Sequence, residues 1–161
     1  MTLQEFANTY NGTKVRNGQC PALVNLYMEE VLGITPGYFG DAHNYYDDYD
    51  NSTFLKENFY KIPVSQELPK VGDIVVWNTN VASPYGHVDI CFSNISSSGF
   101  TSFSQNWGTP LECSFVNHNF TNVSGYLRFK GGSGFTVKRN KFNFVLFSSY
   151  KKRLRRVIIW N

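Results

Sequence analysis

From Gly72 onward the chain is a run of short apolar segments cut by turns, and no other feature restricts the fold as much. "GDIVVWN" (72–78) is a brief apolar run, "SPYG" (83–86) is a turn, and "HVDICF" (87–92) alternates. "NISSSG" (94–99) turns again, and "FTSFSQNW" (100–107) and "SGYLRFK" (124–130) read as further strands. The front of the chain has the other period. Leu3, Phe6 and Tyr10 suit a short helix behind a Thr2 cap, and "NGTKVRNG" follows as turn chemistry. Cys20, Leu23, Val24, Tyr27, Val31 and Leu32 then share one face of a second helix, which Pro21 can open and Gly33 can stop. Helices first and strands after predict an α+β fold, with short helices packed against an antiparallel sheet.

The chain has 161 residues, 42% of them hydrophobic and 17% aromatic, enough to bury one domain's core. No apolar run approaches the ~20 residues of a membrane-spanning helix. The first residues, "MTLQEFANTYNGTK", hold no basic segment followed by an apolar one, so no secretory signal peptide is expected. Five Asn-x-Ser/Thr triplets, at Asn11, Asn51, Asn94, Asn119 and Asn122, then read as a by-product of composition rather than glycosylation sites. Three cysteines, Cys20, Cys91 and Cys113, form neither a disulfide framework nor a zinc-site spacing. Cys91 lies in a β-like run and reads as a small apolar filler, and Cys113 is read as a filler too. Asp47, Asp48 and Asp50 lack the regular spacing of a calcium loop and read as a solvated acidic loop.

Cys20 is different, because "RNGQCPALVNLY" puts it at the start of a helix. The positive end of a helix dipole lowers a thiol's pKa, and the thiolate is the nucleophile. A cysteine nucleophile needs a base, and the base needs an orienting group. His87, opening a strand after the "SPYG" turn, is the candidate base. Asn106 in "SQNW" is the candidate orienter, and Gln19 can donate to an oxyanion.

Gln-Cys at a helix start, then "GDIVVW", "YGHVDI", "QNW" and a closing "GYLR" strand, in that order, resemble the CHAP family of cysteine, histidine-dependent amidohydrolases and peptidases. The resemblance covers residues 1–130 and implies a papain-like fold. It implies cleavage of peptidoglycan, either as an N-acetylmuramoyl-L-alanine amidase or as a stem or cross-bridge endopeptidase of the bacteriophage endolysin or bacterial wall-hydrolase type. Carried over position by position, Cys20 is the nucleophile, His87 the general base and Asn106 the orienter. Gln19 belongs to the oxyanion hole, and Trp107 and Trp77 are wall and core. Two departures stand out. Many phage members have "EQNW", and Ser104 stands where their Glu would be, which implies either a lower activity or an orienting role that falls wholly on Asn106. The acids that hold calcium in calcium-binding members are absent around Cys20, so no metal and no cofactor is expected. An endolysin of this kind is expected to be a monomer made in the bacterial cytoplasm that reaches the wall upon lysis.

The charge divides the chain in two. Residues 1–130 hold seven Lys/Arg against all twelve acids, net −5, and residues 131–161 hold eight Lys/Arg and no acid. The second segment opens with a Gly/Ser linker, "GGSG", and continues with mixed basic and large apolar residues. It reads either as an accessory or non-native tail or as a binder of teichoic acid or an anionic membrane. Two alternatives to a hydrolase are an inactive module that holds wall peptides and a cationic membrane-active protein driven by the tail. Nucleic acid is not an expected partner.

Overall fold

A computed structural model describes residues 1–131, and the basic tail falls outside the described residues. Helix α1 spans Leu3–Tyr10, with the Thr2 hydroxyl accepting from Glu5 N and the Glu5 carboxylate accepting from Thr2 N, a reciprocal capping box. Helix α2 spans Cys20–Tyr27 and passes into a wider π-helical turn over Met28–Leu32, ended by Gly33 at φ 71°. The single long helix expected over this stretch is therefore two geometries. Two short helices follow, α3 (Asn44–Asp47) and α4 (Thr53–Asn58), with one 3₁₀ turn at Tyr49–Asn51 between them. No helix among the described residues is long and apolar enough to cross a membrane.

The strands are β1 (Phe59–Pro63), β2 (Ile74–Trp77), β3 (His87–Ser96), β4 (Gly99–Gln105), β5 (Cys113–His118) and β6 (Val123–Phe129). They form one antiparallel sheet in the order β1-β6-β2-β3-β4-β5. The α+β expectation holds. The sequence patterns did not separate β1 or β5 from their surroundings, and the strand expected over 100–107 ends at Gln105, because Asn106 turns out of it at φ 63°.

Alternation on the central strands divides the core. Ile74, Val76, Val88, Ile90 and Phe103 face α1 and α2, where they pack with Phe6, Leu23, Val24 and Tyr27. Val75, Trp77, Cys91, Phe100 and Tyr126 face the other way and make a second, smaller cluster. His87 and Asp89 pair with Trp77 and Val75 on β2 and share this second face. Val88, between them, points back toward α2. The fold thereby brings the start of α2 and the start of β3 together.

Candidate active site

Cys20 is the first residue of α2, and Gln19 occupies the cap position without a side-chain capping bond. The loop leading to it is stapled to the sheet by Gln105, a fully buried side chain at the end of β4. Its Oε1 accepts from Val15 N at 2.7 Å, and its Nε2 donates to Gln19 O at 2.8 Å. Cys113 donates its thiol to the same Oε1 at 3.2 Å, so it is more than a filler. The sequence reading missed Gln105; the available signal was a strand-end amide inside "SQNW", with its outward neighbour Asn106 drawing the attention instead.

Burial governs the thiol. Cys20 is 8% exposed, and desolvation pushes its pKa up to about 11, with Asp89 adding to the rise and the Val88 backbone N–H opposing it. Desolvation therefore acts against the pKa-lowering effect expected of the helix start. His87 is displaced in the complementary sense. Desolvation lowers its pKa to about 3, His118 adds to the fall, and the ring is a neutral imidazole. Gly86, at φ 68°, sets the ring's position. A Cβ there would lie 2.6 Å from Trp77 O, so only glycine fits the approach. The imidazole packs between Trp107, at 4.7 Å, and Trp77, at 5.4 Å between ring centroids.

The hydrogen bonds of the Asn106 side chain do not go to the imidazole. Its Nδ2 donates to Gln19 Oε1 at 3.1 Å, and its Oδ1 accepts from Leu111 N at 3.0 Å. The geometric reason is the left-handed turn at 106, which takes the side chain off the face that His87 occupies. The group that bonds His87 is Ser104, whose Oγ lies 2.9 Å from Nε2 and which is fully buried. Behind it lie Asp89 and His118, neither of them singled out from the sequence. Asp89 Oδ2 is 3.2 Å from His118 Nε2 and 3.8 Å from His87 Nε2.

Cys20, Gln19, His87, Asn106 and Trp107 line one groove of 1090 Å³, walled on its outer side by the exposed Tyr38 and Tyr85. The acidic loop is elsewhere and its carboxylates are engaged separately. Asp47 pairs with His43, Asp48 accepts from Asn44, and Asp50 pairs with Lys61. Among the described residues no group of three or more His, Cys, Asp or Glu side chains is gathered to hold a metal ion.

A buried cysteine at a helix start, facing a histidine at a strand start across one groove, is an arrangement with relatives. Residues 8–106 match the CHAP domain family. The chain belongs to that family. Its CHAP domain is similar to a wild-type endolysin, LysIME-EF1, at 26% identity and a TM-score of 0.62, over 80% of this chain and 64% of that one. It shares its fold with Ly7917, at 22% identity and a TM-score of 0.62, over 82% of this chain and 64% of that one. A third fold relative is an N-acetylmuramoyl-L-alanine amidase from Staphylococcus aureus, at 21% identity and a TM-score of 0.53, over 70% of this chain and 30% of that one. The chain thus spans less than two thirds of the length of these structures. No curated protein matches its sequence.

Proposed function

We propose that this CHAP domain is a peptidoglycan hydrolase that cleaves an amide bond through the Cys20 sulfur, and that the protein acts as a bacteriophage endolysin. The observation that carries the reading is the junction of α2 and β3: Cys20 and His87 line the same groove, with the Val88 N–H favouring a thiolate at Cys20. The endolysin and amidase relatives give the substrate class.

The protonation states define the first step. His87 Nε2 is occupied by Ser104, so Nδ1 is the nitrogen open to the thiol proton. As the sulfur attacks the carbonyl carbon, the proton passes to Nδ1, and thiolate character arises during attack rather than before it. Gln19 has its Oε1 occupied by Asn106, which leaves its NH₂ to donate to the oxyanion beside the backbone N–H of Cys20, since Pro21 has no N–H and Ala22 N donates to Gln19 O. Asn106 therefore serves the oxyanion side of the site by orienting Gln19. The imidazolium then protonates the leaving amine, and a thioester remains on Cys20. Water, deprotonated by His87, attacks the thioester, releases the acid and returns the sulfur to its thiol form.

Purified peptidoglycan is the test substrate. Wild-type protein is expected to release new amino groups, and Cys20→Ala to lower the rate by at least ~10³-fold. Mass spectrometry of the fragments then assigns the bond: a free N-terminal alanine marks an amidase, and a freed cross-bridge amine marks an endopeptidase. Equal release by wild type and Cys20→Ala rejects the reading.

A further inference from the structure

We propose that a cavity beyond His87, on the side that Cys20 does not line, is the subsite for the amine side of the cleaved bond, and that it takes a short, uncharged run of small amino-acid residues. The cavity measures about 200 Å³ and shares His87, Trp107, Asn80 and Ser83 with the catalytic groove. Its floor is aromatic. The rings of Trp77, Trp107 and His118 lie 4.8 to 5.9 Å from one another between centroids, and Trp107 lies 4.7 Å from the His87 ring. Its rim is made of amides. Asn78 and Asn80 come from the loop after β2, and Asn119 and Asn122 from the turn between β5 and β6. Asn78 N donates to Asn122 O at 2.8 Å, which joins the two segments.

The fold sorts the two ends of these amides. Asn80 Oδ1 accepts from Ala82 N and Ser83 N, both at 2.9 Å, and Asn119 Oδ1 accepts from Thr121 N at 2.9 Å. Asn78 Oδ1 accepts from Ser124 Oγ at 2.7 Å. Each of the three commits its oxygen to the protein and keeps an NH₂ without a protein partner among the described residues. A ligand for this rim must bring acceptors. No Lys, Arg, Asp or Glu lines the cavity, so a charged ligand group would find no opposite permanent charge there. Position decides between peptide and sugar. The acyl group is held on Cys20, and the amine leaves with a proton from His87, so the cavity past His87 receives the amine side. Whether the bond is the lactyl–alanine amide or one in a cross-bridge, that amine belongs to an amino acid. At ~30 Å³ per water the cavity has the volume of about seven waters, enough for two small residues and too little for a disaccharide. A peptide plane can lie on the aromatic floor with its carbonyls toward the rim.

This assignment rests on the hydrolase reading for which side of the bond enters, but occupancy of the cavity is measured without turnover. The probe is N-acetyl-triglycine amide, which is uncharged, added to ¹⁵N-labelled full-length Cys20→Ala protein. NMR is expected to show saturable shifts of the Trp107 indole and of the Asn80 and Asn119 side-chain NH₂ signals. N-acetylglucosamine is expected to leave these signals in place. Asn80→Ser combined with Asn119→Ser keeps a hydroxyl to accept the turn N–H groups and removes both NH₂ donors. The double variant is expected to bind the probe about tenfold more weakly. In the peptidoglycan assay it is expected to raise KM about tenfold, with the smaller part of the loss in kcat. If the serines disturb the turns, the Ala82, Ser83 and Thr121 backbone signals move in the unliganded protein. Asn80→Asp with Asn119→Asp, which keeps the asparagine shape and the turn acceptor, then gives the donor-free comparison. Absence of shifts with the probe, unchanged affinity in the donor-free variant, or tighter binding of N-acetylglucosamine overturns the assignment. A wild type inert on peptidoglycan whose Cys20→Ala form binds the probe at the rim leaves the peptide site standing and counts against the hydrolase reading. An active wild type whose rim ignores the probe does the reverse.

Discussion

Asp73 and Asp89 are both buried, and both lie near a glycine in the left-handed region, yet their surroundings are opposite. Asp73 has a full set of partners. Arg128 bonds both its oxygens, at 3.0 and 2.8 Å, and Lys70 N donates to Oδ2 at 2.8 Å. Arg128 also pairs with Glu67 at 2.6 Å, so β6 is tied to the turn that opens β2. Among the described residues Asp89 has no arginine or lysine, one oxygen without a partner, and two histidines beside it. A buried carboxylate with a permanent cation is a fastening. One balanced only by histidines is a place where a proton can change position at small cost, which is what a site that moves protons requires.

The comparison breaks first at Arg128. Arg128→Met leaves Asp73 buried without its cation, and about 3 kcal/mol of stability is expected to be lost, read from urea denaturation. The turn glycines come next. Gly72 and Gly86 sit at φ 91° and 68°, but a Cβ at 72 would meet only the Tyr27 hydroxyl, at 3.1 Å, whereas at 86 it would meet backbone, at 2.6 Å. Gly86→Ala is therefore expected to cost ~2 kcal/mol and to displace His87, with Gly72→Ala the milder of the two; thermal melts of both variants check the order.

Acid sharpens the contrast further. The His87 pKa of about 3 in the native protein lies below the ordinary value of 6.5. Between those values the unfolded chain holds a proton that the native site does not. Stability therefore falls as pH drops through this window, by at most ~1.4 kcal/mol per pH unit. Asp89, whose pKa burial raises, takes up its proton in the native state first and opposes part of that loss. His87→Gln should flatten the slope of stability against pH between 6.5 and 5, measured by chemical denaturation, and an unchanged slope would place the missing proton elsewhere. The smallest effect is expected at Asp89→Asn, which removes a poorly balanced buried charge and keeps the shape. Its stability should stay within about 1 kcal/mol of wild type, against a clear loss for Asp73→Asn.

The parts of the molecule legible in the sequence were those with local signals. Thr2 and Glu5 mark the first helix by their reciprocal cap, Pro21 marks the start of the second, and the alternation in "HVDICF" places His87 and Asp89 on one face. What was not legible depends on partners far along the chain. The π-helical turn at 28–32 has no composition of its own, and β1 and β5 are edge strands whose half-exposed residues do not alternate cleanly. Asn106 was read as continuing β4, and its left-handed turn, which hands the histidine contact to Ser104, is set by the 106–112 loop rather than by its neighbours in sequence. Ser104 looked like a loss because a neutral residue stands where relatives have an acid. Asp89 of the adjacent strand lies close to that place, with Oδ2 3.8 Å from His87 Nε2, and strand pairing, not spacing, brings it there. The same limit applies to the thiol: a helix start favours a thiolate, and only the packed structure gives the desolvation that outweighs it.

The most direct test of the account is the release of new amino groups from purified peptidoglycan, followed with time for wild-type protein, Cys20→Ala and His87→Gln under identical conditions. The account predicts steady release by the wild type and near-complete loss in both variants, with all three showing the same folded circular dichroism spectrum. Release by Cys20→Ala at the wild-type rate, or no release by a folded wild type, would contradict it.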